Sequence, residues 1–409
     1  MRLIQRRHAL ATMLMAVLLL MPPMVRSQGM APKPADYAGF GSETTGGQGG
    51  PLLRVTTLAD TGSGSLRWAL EDMEGPRVVA FDIGGIIALN DQIEINGDVT
   101  VEGQSAPGGI TITGARLRVV GDNVILRGLR IRPGDGPGMP AQSRDAISIG
   151  TPKRKVSGVV IDGNSLTWAI DETLSIWGDV EDVTISNNII AEALDEAGHE
   201  KGGHSMGLLI GGGEVSRVTI AGNLLAHNRN RNPTIKNQSE QIEFVNNLVY
   251  NWGENGLQVD GGSLHVVGNA YIAGPDTVPR APIRLGNSKS PEGAYYVAKN
   301  LGEATPQSLL EGTPVFRGSG IEIAPATEVE SHVLAHAGAR HPALDAIDQR
   351  IVESVATRTG RIIDSQDEVG GFNLLREGTA SQEPMDGTPT GTKNKAGKPP
   401  RSAETATRF

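Results

Sequence analysis

The stretches VVIDGNSL, Val159–Leu166, and VTISNNII, Val183–Ile190, share one form, in which alternating apolar residues end in a turn marked by Gly or Asn. The form recurs as VTVEGQSA from Val99, VILRGLRI from Val124, VTIAGNLL from Val218, IEFVNNLV from Ile242 and LHVVGNAY from Leu264. Successive starts lie 25, 35, 24, 35, 24 and 22 residues apart, a repeat near 24 with two inserts near 11. Such a coil is too short for a propeller blade and lacks a leucine-rich pattern. Gly163-Asn164, Asn187-Asn188, Gly222-Asn223 and Asn246-Asn247 hold one fixed place in it, which suits a backbone position with positive φ or a stacked asparagine turn. The expected fold is all-β, a parallel β-helix (solenoid) whose coils stack their strands about 4.8 Å apart.

A second set of short strands falls between the first: AISI from Ala146, TLSI from Thr173, GLLI from Gly207, PTIK from Pro233, GLQV from Gly256 and PIRL from Pro282. Their intervals of 27, 34, 26, 23 and 26 residues predict another stacked sheet. Stacking brings into one column what precedes each strand: Asp145, then Asp171 and Glu172, then His204 and Ser205, then Arg231 and Asn232. The inserts 132–144 and 191–203 end at the same edge, and loops on a rigid scaffold are where binding and catalysis concentrate.

Composition narrows the function. Residues 1–27 combine early arginines with the apolar run ALATMLMAVLLLM and read as a signal peptide, so a secreted or periplasmic location is expected. Their removal takes away four arginines and shifts the formal charge from −9 to −13, which argues against a nucleic-acid partner. Nothing after the signal is apolar for long enough to span a membrane. A polyanionic substrate would need a local basic patch such as NRNRNPTIK, Asn228–Lys236. With no cysteine, any metal must use oxygen or imidazole. Residues 28–378 form the expected β-helix domain and 379–409 a polar, disordered tail, and the chain is expected to be a monomer.

The segments GPRVVAFDIGG, TVEGQSAPGGITI, WAIDETLSI, VTISNNIIAEAL, HSMGLLIG, LLAHNRNRNP and, near the C-terminus, RIIDSQDEVGG resemble the bacterial pectate lyases of polysaccharide lyase family 1. The resemblance implies a right-handed parallel β-helix that cleaves polygalacturonate by Ca²⁺-assisted β-elimination. It assigns calcium binding to Asp145 and Asp171 with Glu172 as helper, the catalytic role to Arg231, and a substrate contact to Lys236. Ser143 and Ser175 stand where many members carry acids, Met206 where a substrate-binding lysine is expected, and Gly163 where a histidine is common. Lys201 and His204 are the candidate replacements for that lysine. Arg229, two residues before Arg231, shares its face if the segment keeps a strand period.

Asp145 and Asp171 lie 26 residues apart, about one coil, and so could share one hard cation from adjacent rungs. Arginine is ordinarily never neutral, so the residues themselves leave Arg231 as either a base or a carboxylate clamp. Two other readings stay open: a β-helical glycoside hydrolase of pectin using the same acids, and a noncatalytic polysaccharide-binding β-helix. Trp168, Trp177 and Trp252 could stack on sugar rings, but a β-helix also buries aromatics in its interior stacks, and all three are expected to pack inside; His227 is expected to be a hydrogen-bonded turn residue. SGSLRWALEDM, with Ser63 or Ser65 as cap, predicts a short amphipathic helix plugging the N-terminal end. HPALDAIDQRIVESVATRTG predicts a C-terminal helix packed late on the stack and closed by Gly360.

Overall fold

The computed structural model describes residues 37–286, 293–302 and 312–375. The expected signal peptide and polar tail lie outside the described residues. Three parallel sheets run the length of the molecule: a long sheet of ten strands, from Leu52–Val55 to Gly293–Ala298, and two of eight. One of these, the cleft sheet, runs from Ile93–Ile95 to Ile283–Leu285 and contains the second set of strands read from sequence. The other, the flank sheet, runs from Gly85–Ala88 to Ala270–Ile272. Each of eight complete coils contributes one strand to each sheet, with one further long-sheet strand at either end, which is a parallel β-helix.

The seven repeat starts are direct register partners: Val99 with Val124, then Val159, Val183, Val218, Ile242 and Leu264. Columns such as Val159, Val183, Val218, Ile242 and Ile161, Ile185, Ile220, Phe244 point inward and are fully buried, like side chains stacking on like. The flank sheet was hidden inside the repeat. Five of the seven signatures join a long-sheet strand, a bend and a three-residue flank strand, as in Val156–Asp162 followed by Ser165–Thr167; VILRGLRI has a two-residue flank strand and VTVEGQSA ends in a short 3-10 turn instead.

The bend uses both of the devices proposed for it, at consecutive positions. Gly163, Asn187, Gly222, Asn246 and Gly268 take φ between 54° and 68°, the left-handed region that glycine and asparagine reach at least cost. The next residue is always asparagine, and Asn164, Asn188, Asn223, Asn247 and Asn269 are wholly buried. Each side-chain amide donates to the amide oxygen on the following rung, at 3.1, 3.0, 3.0, 3.1 and 2.9 Å, ending on Asn300. The same oxygen accepts the backbone N–H of the asparagine one rung earlier, and the second amide hydrogen goes to a carbonyl of that earlier coil. Every polar atom the bend would otherwise bury unpaired is therefore satisfied.

At the N-terminal end, Ser65 Oγ accepts from Trp68 N at 3.1 Å and the chain makes a π-wound turn over Trp68–Asp72, with Leu66, Ala69 and Leu70 fully buried, as the sequence predicted. The predicted C-terminal helix forms, and only its place needs correction. Among the described residues two α-helices form, α1 (Ala326–His336) and α2 (Ala346–Thr357), and α2, the predicted one, covers the flank sheet rather than the end of the stack. Its buried face, Ile347, Ile351 and Val355, meets Ile189, Leu224 and Leu248. The sheet also presents Arg132, fully buried, and Arg130; Asp345 and Asp348 receive them at distances down to 2.6 Å. Arg358, not Gly360, takes the left-handed cap position.

Replacing Asn223 by alanine takes the acceptor from Asn188 N–H and from Asn188 Nδ2 inside the stack. The expected loss is about 2–4 kcal/mol, the cost of two or so buried unsatisfied groups, read as a lower denaturant midpoint. An unchanged midpoint would make the ladder a passenger of the packing.

Candidate active site

The cleft sheet aims one side chain in two outward. On Glu172–Trp177, Leu174 and Ile176 join the interior while Ser175 and Trp177 face out. Register places Arg118, Ser148, Ser175, Leu209 and Thr234 in one outward column, and Gly150, Trp177 and Gly211 in the next, with Lys236 following Gly211. Asp145 sits just before the strand Ile147–Ile149, and Asp171 just before Glu172–Trp177.

The segment Asn228–Asn232 explains its own odd composition. Asn228 and Asn232 are buried and bond each other, Asn228 Nδ2 to Asn232 Oδ1 at 3.1 Å and Asn232 Nδ2 to the Asn228 carbonyl at 3.1 Å; Asn232 also reaches the Asn255 carbonyl. Asn230 Oδ1 accepts from Arg231 N at 2.8 Å. This amide frame holds Arg231 at φ 61°, a left-handed position, and so breaks the strand period. Arg229 consequently does not share the face of Arg231. It pairs with Asp195 at 3.3 Å and Glu254 at 2.8 Å, away from the cleft.

A cleft of about 510 Å³ gathers Asp145, Asp171, Glu172, Lys201, Arg231 and Lys236. Carboxylate oxygens of Asp145, Asp171 and Glu172 all come within 4.8 Å of one another, a set of hard donors that suits a divalent cation of the calcium or magnesium kind. Asp145 is almost fully buried; Ser175 Oγ donates to its Oδ2 at 2.7 Å and the Arg116 guanidinium to its Oδ1 at 3.1 Å. Burial pushes the Asp145 carboxyl up to about 6, with Asp171 adding to the rise and Arg116 opposing it. Such crowding of acids is what a bound cation relieves. Arg231 ion-pairs with Glu172, and burial pulls the pKa of its guanidinium below the usual arginine value, against the pull of Asp171 and Asp145. Lys236 Nζ meets Asp260 Oδ2 at 2.9 Å.

Behind Asp171 lie two buried imidazoles, His199 and His204, stacked with centroids 3.8 Å apart and planes 9° from parallel. Both direct Nε2 at Asp171 Oδ1, at 3.5 and 3.1 Å. Two histidines and a carboxylate also fit a transition metal, but His199 Nδ1 accepts the Lys201 backbone N–H at 3.1 Å. A neutral His199 then carries its proton on Nε2, so that atom is not a metal ligand; it lies 3.5 Å from Asp171 Oδ1 without a hydrogen bond. His204, at 3.1 Å, orients Asp171 through Oδ1. His204 is thereby turned to Asp171 and does not line the cleft.

Several cleft residues escaped the sequence reading. Arg116 and Arg118 flank Leu117, whose strand pairs with Ile147–Ile149 one coil before the second set was taken to begin; extending its interval backwards would have found them. His199 lies in the insert, where no period applies. Trp177 was expected inside with Trp168 and Trp252. Those two are buried, but Trp177 is 52% exposed, because the strand's outward alternation places it beside the cleft. His227 is the expected turn residue, buried and bonded to Ser354 Oγ at 2.8 Å and Asn251 Nδ2 at 2.9 Å.

No family model matches the chain. A protein named probable pectate lyase C from Aspergillus flavus is 34% identical over 395 residues, 90% of this chain and 88% of its own length. Its namesake from Emericella nidulans is 33% identical over 391 residues, 90% and 86%. The chain belongs to the pectate lyase family. It is a pectate lyase-like enzyme, a polysaccharide lyase. Solved pectate lyases share the fold: that of Bacillus sp. N165, in complex with trigalacturonate, superposes with a TM-score of 0.55 at 17% identity, over 74% of this chain and 98% of that one. The cedar pollen allergen jun a 1 gives 0.55 at 20%, over 74% and 92%. At those identities the likeness concerns the fold alone.

In this pectate lyase-family chain the raised carboxyl of Asp145 sets a direction for stability. Folded, Asp145 keeps its proton up to about 6; unfolded, it loses it near 4. Between these values the folded state binds the extra proton, so the cation-free protein should lose stability as pH rises through that window. Thermal melts in chelator should show the slope, and Asp145→Asn should flatten it. An equal slope in the variant would assign it to other groups.

Proposed function

We propose that the chain is an exported pectate lyase that cleaves polygalacturonate or a related uronan by calcium-assisted β-elimination. The observation that carries this reading is the meeting, in one cleft, of a three-carboxylate cluster on adjacent rungs with the half-buried guanidinium of Arg231. An acidic polymer needs local positive charge on a chain whose formal charge is −9, and Lys201, Lys236, Arg116 and Arg118 supply it along the same cleft. Among the described residues no helix is long and apolar enough to cross a membrane, which is compatible with export guided by residues 1–27.

The hydrogen on C5 of a uronate lies beside a carboxylate. In the elimination the C5–H bond breaks, its electron pair becomes the C4=C5 double bond, and the C4–O4 bond breaks, the leaving oxygen taking a proton from water. Asp145, Asp171 and Glu172 are the residues that would hold calcium, and His204 fixes the angle of Asp171. Calcium bound there supplies charge neutralisation for the substrate carboxylate. Arg231 in its neutral form is the group that takes the C5 proton and becomes guanidinium; the burial that lowers its pKa, and alkaline pH, favour that form. Lys236 and Lys201 hold neighbouring carboxylates.

A hydrolase would need its two carboxyl groups set either side of a glycosidic bond, whereas here the acids crowd into one cluster. The deciding measurement is the ultraviolet absorbance of the unsaturated uronide, with reducing ends assayed in parallel. Absorbance is expected with polygalacturonate and calcium at alkaline pH; reducing ends alone would sink the lyase reading. Arg231→Lys keeps the charge but loses the planar fork, so kcat should fall on the order of a hundredfold. Near-normal kcat would leave Arg231 as a binding group. Asp171→Ala should weaken calcium binding in calorimetry while the circular dichroism spectrum is retained, and full turnover in excess chelator would remove the metal from the scheme.

A further inference from the structure

Trp177 is a large aromatic left in the open where the mechanism above has no use for it. Among the described residues the exposed large apolar side chains are Trp177, Leu301 and Val315, and Trp177 alone of them lines the cleft. Exposure of an indole costs water-contacting apolar area, which a binding surface recovers when occupied. The surroundings are shaped to the ring. Its two register neighbours are Gly150 and Gly211, so no side chain rises beside it on the adjacent rungs. Gly212, at φ 76°, lies under the ring: a methyl group there would come within 2.4 Å of the indole. One face of the indole thus rests on glycine backbone and the other faces solvent. Lys236 is the next residue in the same column beyond Gly211 and lines the same cleft, and its stem leans over Gly211 toward the indole: a methyl group on Gly211 would meet Lys236 Cβ at 2.7 Å and Trp177 Cζ3 at 3.6 Å.

We infer that Trp177, seated on Gly212 between Gly150 and Gly211, is a sugar-stacking subsite that takes the C–H face of one pyranose ring of the uronan while Lys236 holds the carboxylate of a neighbouring ring. The inference rests on the uronan reading of the cleft. It assigns this end of the site to recognition by shape and apolar contact, separate from the charge recognition around Asp171 and Arg231. An indole stacks equally on a free or an esterified uronate, because the ring's C–H face carries no charge. The subsite therefore contributes affinity that methyl esterification does not remove.

The test compares wild type, Trp177→Phe and Trp177→Ala on polygalacturonate and on a partly methylated pectin. Trp177→Ala should raise KM roughly tenfold on both polymers with kcat little changed, since the lost contact is equal in ground and transition states. Trp177→Phe should recover much of the loss. Independently, oligogalacturonate should shift the wild-type tryptophan fluorescence, and that shift should vanish in Trp177→Ala, because Trp168 and Trp252 are buried and Trp68 sits in the N-terminal turn, outside the cleft. Wild-type KM in Trp177→Ala, or a fluorescence shift that survives the substitution, overturns the subsite while leaving the lyase intact. Absence of unsaturated product from wild type would instead defeat the function, and the fluorescence titration would still read the subsite on its own.

Discussion

The amide ladder from Asn164 to Asn300 is the constraint on which the rest depends. A coil has to turn sharply between the long and flank sheets, and the turn buries backbone groups that no strand can pair. Asparagine solves this because one amide offers a carbonyl to one rung and two hydrogens to others, so each rung fixes the next in height and in rotation. With rotation fixed, the inward columns stack like on like and the outward columns of the cleft sheet fall into line. The geometry of the acids is inherited from this. Asp145 and Asp171 approach each other because two coils share one register, without any local device dedicated to joining them.

The site then works against the scaffold's regularity. Arg231 leaves the strand period through a left-handed residue held by buried amides, and His199 arrives from an insert that belongs to no strand. Three acids share a confined volume with a guanidinium whose charge is disfavoured by burial. Such groups are costly without ligands, and the folded chain carries them because the stacked coils below are rigid. Ser175 shows how local the adjustment is: it stands where the family resemblance leads one to expect an acid, and instead donates to Asp145.

What the sequence made legible follows from what repeats. The period located seven of the ten long-sheet strands and six of the eight cleft-sheet strands to within a few residues, and the column of residues before each strand brought Asp145, Asp171, Glu172 and Arg231 to one cleft. The flank sheet escaped notice because its strands are three residues long and lie inside the motif itself. Arg229 was misdirected by a strand period that Arg231 breaks, a backbone change that no hydrophobic pattern encodes. Trp177 was read as core because apolar type is a poor guide on a strand whose alternate positions face out. Placement of α2 could not be read from its own amphipathic face, since the deciding partners, Arg130 and Arg132, lie more than 200 residues earlier.

That long separation bears on how the molecule comes into being. A solenoid can add rungs in the order the chain is synthesised, each new coil finding its template already laid. The flank sheet, however, carries the buried Arg132 and its apolar neighbours until Asp345, Asp348 and α2 arrive from near the end of the described chain. A nascent polypeptide halted before α2 would hold stacked coils with one naked, charged and greasy side. The strap is thus a completion signal: a truncated product exposes the very surface that quality-control proteases and chaperones recognise, while the finished one hides it.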